Sequence, residues 1–144
     1  MNPGAQRRLE DLLDHEIELG HSLVQVLDAE KTALTGESAS TVEDKASEKI
    51  RLFDAMEKLE QERRSLCENP GATGVATSVA ARWRSLIALM ARCRAANELN
   101  GHIIRVRQHQ VRQLIDIVRG KPAAMTYNPQ GKTFAKALRA LARA

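Results

Sequence analysis

Residues 75–120 read VATSVAARWRSLIALMARCRAANELNGHIIRVRQHQVRQLIDIVRG, with no proline and one internal glycine, Gly101. Apolar or large residues recur at spacings of three and four: Val79, Trp83, Leu86, Met90 and Cys93. The stripe passes Asn97 and Asn100, then resumes at Ile104, Val111, Leu114, Ile115 and Val118. Sustained over about six heptads, this is the period of a coiled-coil-like helix. At 1.5 Å rise per residue such a helix is roughly 65 Å long. The stretch therefore predicts a rod along which the rest of the chain is laid.

Upstream, two further helices are expected. Asn2-Pro3-Gly4 reads as a helix start, and the first helix is expected over about 5–35, with Gly36 as its C-terminal cap. Its apolar positions, among them Leu9, Leu12, Leu13, Ile17, Leu23, Val26, Leu27 and Leu34, form a stripe wider than a two-position seam. That width suits a helix that touches two neighbours. Gly20 interrupts it at a cost of about 1 kcal/mol relative to Ala, which a close helix crossing explains. Ser40-x-x-Glu43 fits a capping box for a second helix over about 41–68. Its expected inner face is Val42, Ala46, Ile50, Phe53, Met56, Leu59 and Leu66. Asn69-Pro70-Gly71 ends that helix, and the third is expected over about 75–119.

Short connections make the second helix antiparallel to both neighbours. Laid back from the turn near Ala72, Thr41 falls beside residue 103, so the third helix overshoots its partners by about four turns. Val111, Leu114, Ile115 and Val118 lie in that overshoot. Residues 120–133, GKPAAMTYNPQGKT, read as a flexible linker carrying the only tyrosine, Tyr127. Residues 134–144, FAKALRALARA, read as a short amphipathic helix with Phe134, Leu138 and Leu141 on one face. Such a helix is marginal alone in water and needs a surface to fold against. The expected fold is all-α: an elongated antiparallel three-helix bundle over 1–119, followed by a linker and a short C-terminal helix.

Composition narrows the function. The 144 residues contain 3% aromatics, 22 basic and 18 acidic side chains, for a formal charge of +4. From Arg82 onward the only acids are Glu98 and Asp116. The arginines of this half lie around the helix rather than on one face and have no interleaved aromatics, so they read as solvated and not as a nucleic-acid surface. No segment reads as a secretory leader, and no run approaches the ~20 apolar residues of a membrane span. Cys67 and Cys93 lack metal or redox spacing and read as buried or partly buried thiols of a reducing compartment. His15, His21, His102 and His109 read as surface or interfacial, since Glu98-x-x-x-His102 is not the Glu-x-x-His spacing of a di-iron bundle. No phosphate-binding loop or nucleophile elbow occurs. No catalytic residue, cofactor or metal is expected.

Asn97, Asn100 and Gly101 interrupt the apolar stripe. Polar residues there lower stability but fix register, as a hydrogen-bonded pair in the bundle or where the face turns to solvent. A binding site is the alternative reading. Gly101 is expected to permit close packing or a slight bend.

The ordered set of these pieces resembles the flagellar type III export chaperones of the FlgN type. The residues that carry the resemblance are LEDLLDHEIELGHSLVQVLDAEKTAL (9–34), LEQERRSLCENPG (59–71), Trp83-x-x-Leu86, and Cys93-x-x-x-Asn97-x-x-Asn100-Gly101-x-Ile103-Ile104. Tyr127-x-x-x-Gly131 before the tail completes the set. The resemblance implies a cytoplasmic, non-enzymatic chaperone. Its clients would be the C-terminal segments of flagellar hook-associated proteins, kept from premature assembly and delivered to the export apparatus. It implies client binding in the C-terminal region, here Phe134, Leu138 and Leu141 with the overshoot, and docking on the export gate through Tyr127. The tail is shorter and richer in Ala and Arg than that pattern. Two rival expectations remain: a self-associating coiled-coil adaptor, including a homodimer through the C-terminal region, and a nucleic-acid binder with steep salt dependence.

Overall fold

The computed structural model describes residues 2–36, 38–68 and 76–120. Three helices account for it: α1 (Pro3–Thr35), α2 (Ala39–Cys67) and α3 (Thr77–Val118). The protein is all-α, an elongated three-helix bundle. The linker and the C-terminal helix expected at 120–133 and 134–144 lie outside the described residues, apart from Gly120, which has φ 71°.

The α1 start is built as its sequence implies. The Asn2 side chain accepts hydrogen bonds from the Gly4 and Ala5 amides at 2.7 and 3.2 Å, and Pro3 occupies the first helical position, where its missing N–H costs nothing. The α2 start differs from expectation. The helix begins at Ala39, so Ser40 is already inside it, and no side chain caps it; Ser38 Oγ instead meets Thr41 Oγ1 at 2.5 Å. Gly36 does end α1, but with φ −97°, and its amide bonds Thr32 O. The left-handed turn for which glycine is favoured is absent there.

α1, not α3, is the helix around which the bundle is arranged. It shares broad interfaces with both other helices, whereas α2 and α3 meet chiefly through long side chains. The reason is its double row of apolar residues. Leu9, Leu13, Leu23, Leu27 and Leu34 are buried on one row, and Leu12, Val26 and Ala33 on an adjoining one. α1 and α3 run parallel, from Glu10 beside Ser78, through Asp14 beside Arg82, to Leu27 beside Asn100. α2 runs antiparallel to them, from Lys49 beside Glu30 to Arg63 beside Glu16. Two apolar clusters join α1 to α3: Leu9, Leu13, Val79 and Leu86 near one end, and Leu23, Leu27 and Cys93 in the middle.

Between them α1 and α3 approach closely at Gly20. A Cβ on Gly20 would lie 2.5 Å from Leu89 Cδ2 and 2.9 Å from Met90 Cε, so any larger residue forces those side-chain ends to shift. Cys93 Sγ reaches Gly20 O at 3.6 Å in the same crossing. Gly101 plays no such part: a Cβ there would meet only Arg105 Nη1, at 3.7 Å. Cys93 is buried as expected, but Cys67 is exposed.

Val42, Ala46, Met56, Leu59 and Leu66 of the expected α2 inner face are half-buried, but Ile50 and Phe53 are not, and neighbouring residues take their seam positions. No residue of α2 is buried, and the half-buried row is Val42, Lys45, Lys49, Leu52, Met56, Leu59, Arg63 and Leu66. Ile50 and Phe53 are exposed. Cations take the inner positions because α1 presents two buried carboxylates to them. Glu16 pairs with Arg63 at 2.8 Å, and Glu30 with Lys49 at 3.0 Å.

Candidate functional site: the uncovered end of the third helix

The long seam of α3 passes three environments. The first is apolar and packed on α1: Val79, Leu86, Leu89 and Cys93 are all buried. Trp83 is 41% exposed, with the Arg63 guanidinium 4.6 Å over its ring, a cation–π contact that joins α3 to α2 above Glu16.

The second environment is polar. Asn100 is fully buried and donates from Nδ2 to Leu27 O and to Glu30 Oε1, both at 2.9 Å. Lys49 Nζ donates to Glu30 and, at 3.2 Å, to Asn97 Oδ1. One residue from α1, one from α2 and two from α3 thus satisfy one another in a single layer. Glu16, Arg63 and Trp83 form the matching layer fourteen residues, or two heptads, away on every helix. The interval between them is apolar, with Leu23 and Met90 in the central cluster. A slip of α2 by one heptad would set Glu16 against Met56 and Glu30 against Val42, leaving buried carboxylates unpaired.

The third environment begins at Arg107, which occupies the seam and donates from Nη2 to Gly36 O at 2.9 Å. It closes the end of α1, where helix carbonyls lack partners and a cation is favoured. Beyond Arg107, α3 continues for about three turns, not four, with no α1 alongside. Val111, Leu114, Ile115 and Val118 lie there and are all exposed, Val118 at 86%. Val111, Leu114 and Val118 continue the face that packs on α1 lower down, with Ile115 at its edge; Ile117, 64% exposed, sits on the other flank. Arg105, Arg112 and Arg119 border the stretch, with Asp116 its one acid. Gln113 and His109 hydrogen-bond one turn apart at 3.1 Å.

The structure therefore groups Val111, Leu114, Ile115 and Val118 on one uncovered helix end, and puts Asn97 and Asn100 in the layer beneath it. Tyr127, Phe134, Leu138 and Leu141 lie outside the described residues. The sequence reading missed Arg107, Lys49, Glu16 and Glu30. Their signal was present: both glutamates fall on the leucine row of α1, at Leu9–Glu16–Leu23–Glu30, each seven residues from a leucine. Among the described residues no group of three metal-ligating side chains converges, and no helix is long and apolar enough to cross a membrane.

Among the described residues, then, an elongated all-α bundle leaves the apolar end of its longest helix exposed. The model of the FlgN protein family matches residues 1–134. The chain belongs to the FlgN family and is, in general terms, a flagellar export chaperone. No curated protein and no solved structure matches it significantly.

Proposed function

We propose that this protein acts in the cytoplasm and binds the C-terminal segments of flagellar hook-associated proteins, keeping them from premature assembly and delivering them to the export apparatus. The observation that carries this reading is the seam of α3 beyond Arg107, apolar in sequence and exposed in the fold. Leaving it in water costs about 25 cal/mol per Å² of apolar surface, and an amphipathic client helix laid on it would recover that free energy. Val111, Leu114, Ile115 and Val118 would take the client's apolar face. Phe134, Leu138 and Leu141 would supply a second amphipathic element that pairs with the client or yields its place to it. Tyr127, between the two, is assigned to docking on the export gate. No cofactor enters the proposal.

The test is calorimetric titration of the full-length chain with a C-terminal peptide of a hook-associated protein. Three chains are compared: unsubstituted, Leu114→Asp/Val118→Asp, and Leu138→Asp/Leu141→Asp. Binding lost in the first pair places the client on the α3 end; binding lost only in the second places it on the tail. No binding to any such peptide, together with a stable oligomer by light scattering, would replace this reading by the self-associating adaptor.

A further inference from the structure

The three helices are not held equally. The buried apolar clusters are drawn from α1 and α3 alone, and α2 adds only the half-buried Leu52 and Leu66 at their edges. No α2 side chain is buried, its N-terminus has no side-chain cap, and Ile50 and Phe53 point away from the bundle. Besides a seam that is only half-buried on α1, with Val42, Leu52, Met56, Leu59 and Leu66 along it, α2 is fastened by two ion pairs, Glu16–Arg63 and Glu30–Lys49, with the surface pair Arg8–Glu62 beside them. A buried ion pair gives little net stability, because desolvating the charges offsets their attraction. A surface pair gives less still.

We infer that α2 is a strap: it opens from the bundle as a unit while α1 and α3 remain packed. Both of its ends continue into neighbouring helices, so the opened strap stays tethered and recloses. Opening leaves no orphaned buried charge. Glu16 and Glu30 meet water once Arg63 and Lys49 leave, and Glu30 keeps its bond from Asn100. It does uncover the second apolar row of α1, Leu12, Val26 and Ala33, of which Leu12 lines a hollow with Leu66, Arg8, Glu62 and Ser65, and that cost is what keeps the strap closed at rest. The α1–α3 pair keeps its own fastenings: the Gly20 crossing, the Asn100 bonds, and the Glu10–Ser78, Asp14–Arg82 and Gly36–Arg107 links. This inference does not depend on the identity of any client.

The test is native-state hydrogen exchange on the full-length chain without any partner, resolved by helix. Mid-helix amides of α2 are expected to exchange about tenfold or more faster than those of α1 and α3, since local openings span a range of free energies below the global one. Arg63→Ala and Lys49→Ala each strand a carboxylate under the closed strap. Each is expected to accelerate α2 further while leaving α1 and α3 unchanged. Equal exchange of all three helices in the unsubstituted chain overturns the inference, whether or not either variant folds. So does a variant that accelerates all three together.

Discussion

Asn100 Nδ2 bonds both Glu30 Oε1 and the Leu27 carbonyl at 2.9 Å, tying α3 to α1 through two buried acceptors with one amide group. Asn100→Leu matches the apolar seam but removes the donor from both. The Leu27 carbonyl loses its side-chain bond, and Glu30 is left to Lys49 alone. The expected loss is about 1–3 kcal/mol, the usual range for leaving buried polar groups unsatisfied, measured by urea unfolding. A variant more stable than the parent would show that the layer contributes register and not stability.

The two mid-helix glycines Gly20 and Gly101 should respond in opposite directions. Gly20→Ala gains about 1 kcal/mol of helix propensity but drives a methyl into Leu89. The clash should dominate, with a net loss of about 1–3 kcal/mol as in other overpacked cores. Gly101→Ala meets nothing closer than an arginine tip at 3.7 Å and should gain about 0.5–1 kcal/mol. Thermal unfolding of the two variants side by side decides it.

These glycines also mark what the sequence could disclose. The α3 seam was legible from Val79 to Val118 because its period never breaks, and the width of the α1 stripe announced two neighbours. The phase of α2 was only partly legible from apolar residues: Val42, Met56, Leu59 and Leu66 lie on its seam, but Lys45, Lys49 and Arg63 occupy seam positions while Ile50 and Phe53 do not. The pattern resolves only when Glu16 and Glu30 are recognised as core positions of α1, and that requires knowing that α2 faces them. The difference between Gly20 and Gly101 is likewise three-dimensional: each interrupts a helix, but only Gly20 lies beneath packed side chains of a neighbouring helix. The uncovered end of α3 was legible in outline from helix lengths. Its starting point was not, since Arg107 reads as a solvated arginine until Gly36 O is placed beside it.

Acid should loosen the end of the bundle where Glu10 accepts a hydrogen bond from Ser78 Oγ at 2.6 Å. That bond, with a second from Gln6, holds the Glu10 carboxyl below its ordinary value. A carboxylate depressed in the folded state contributes stability above its unfolded pKa, and loses it as pH falls through the folded value. Ser78→Ala should therefore lower stability at neutral pH. Its difference from the parent should shrink on acidification through the carboxylate range. Unfolding midpoints collected from neutral to acid pH check both; a difference that grows toward acid contradicts the assignment.

The two thiols should be kinetically distinct. Cys67 is exposed at the end of α2, whereas Cys93 is buried in the α1–α3 crossing and burial pushes its thiol pKa up. Access and thiolate fraction together govern reactivity. A colorimetric disulfide reagent should titrate one equivalent at once under native conditions and the second only on unfolding. Cys67→Ala should abolish the fast phase. A fast phase that survives would mean that the α1–α3 crossing opens, against the division of the bundle drawn above.

The end of α3 separates stability from binding. Leu114 and Val118 are 61% and 86% exposed, so Leu114→Asp/Val118→Asp should leave unfolding free energy within about 0.5 kcal/mol per site, as for surface changes generally. Leu86→Ala, on the same helix but 3% exposed, should lose about 2–5 kcal/mol. If the seam beyond Arg107 is where another chain is covered, the aspartate pair should lose client binding while keeping the parent's unfolding curve, and the Leu86 variant should be destabilised yet still bind wherever it remains folded. Unfolding and calorimetry on the same preparations test the division. An aspartate pair that destabilises as much as Leu86→Ala would show that these side chains are already packed in the free protein, and the binding surface would have to be sought elsewhere on the rod.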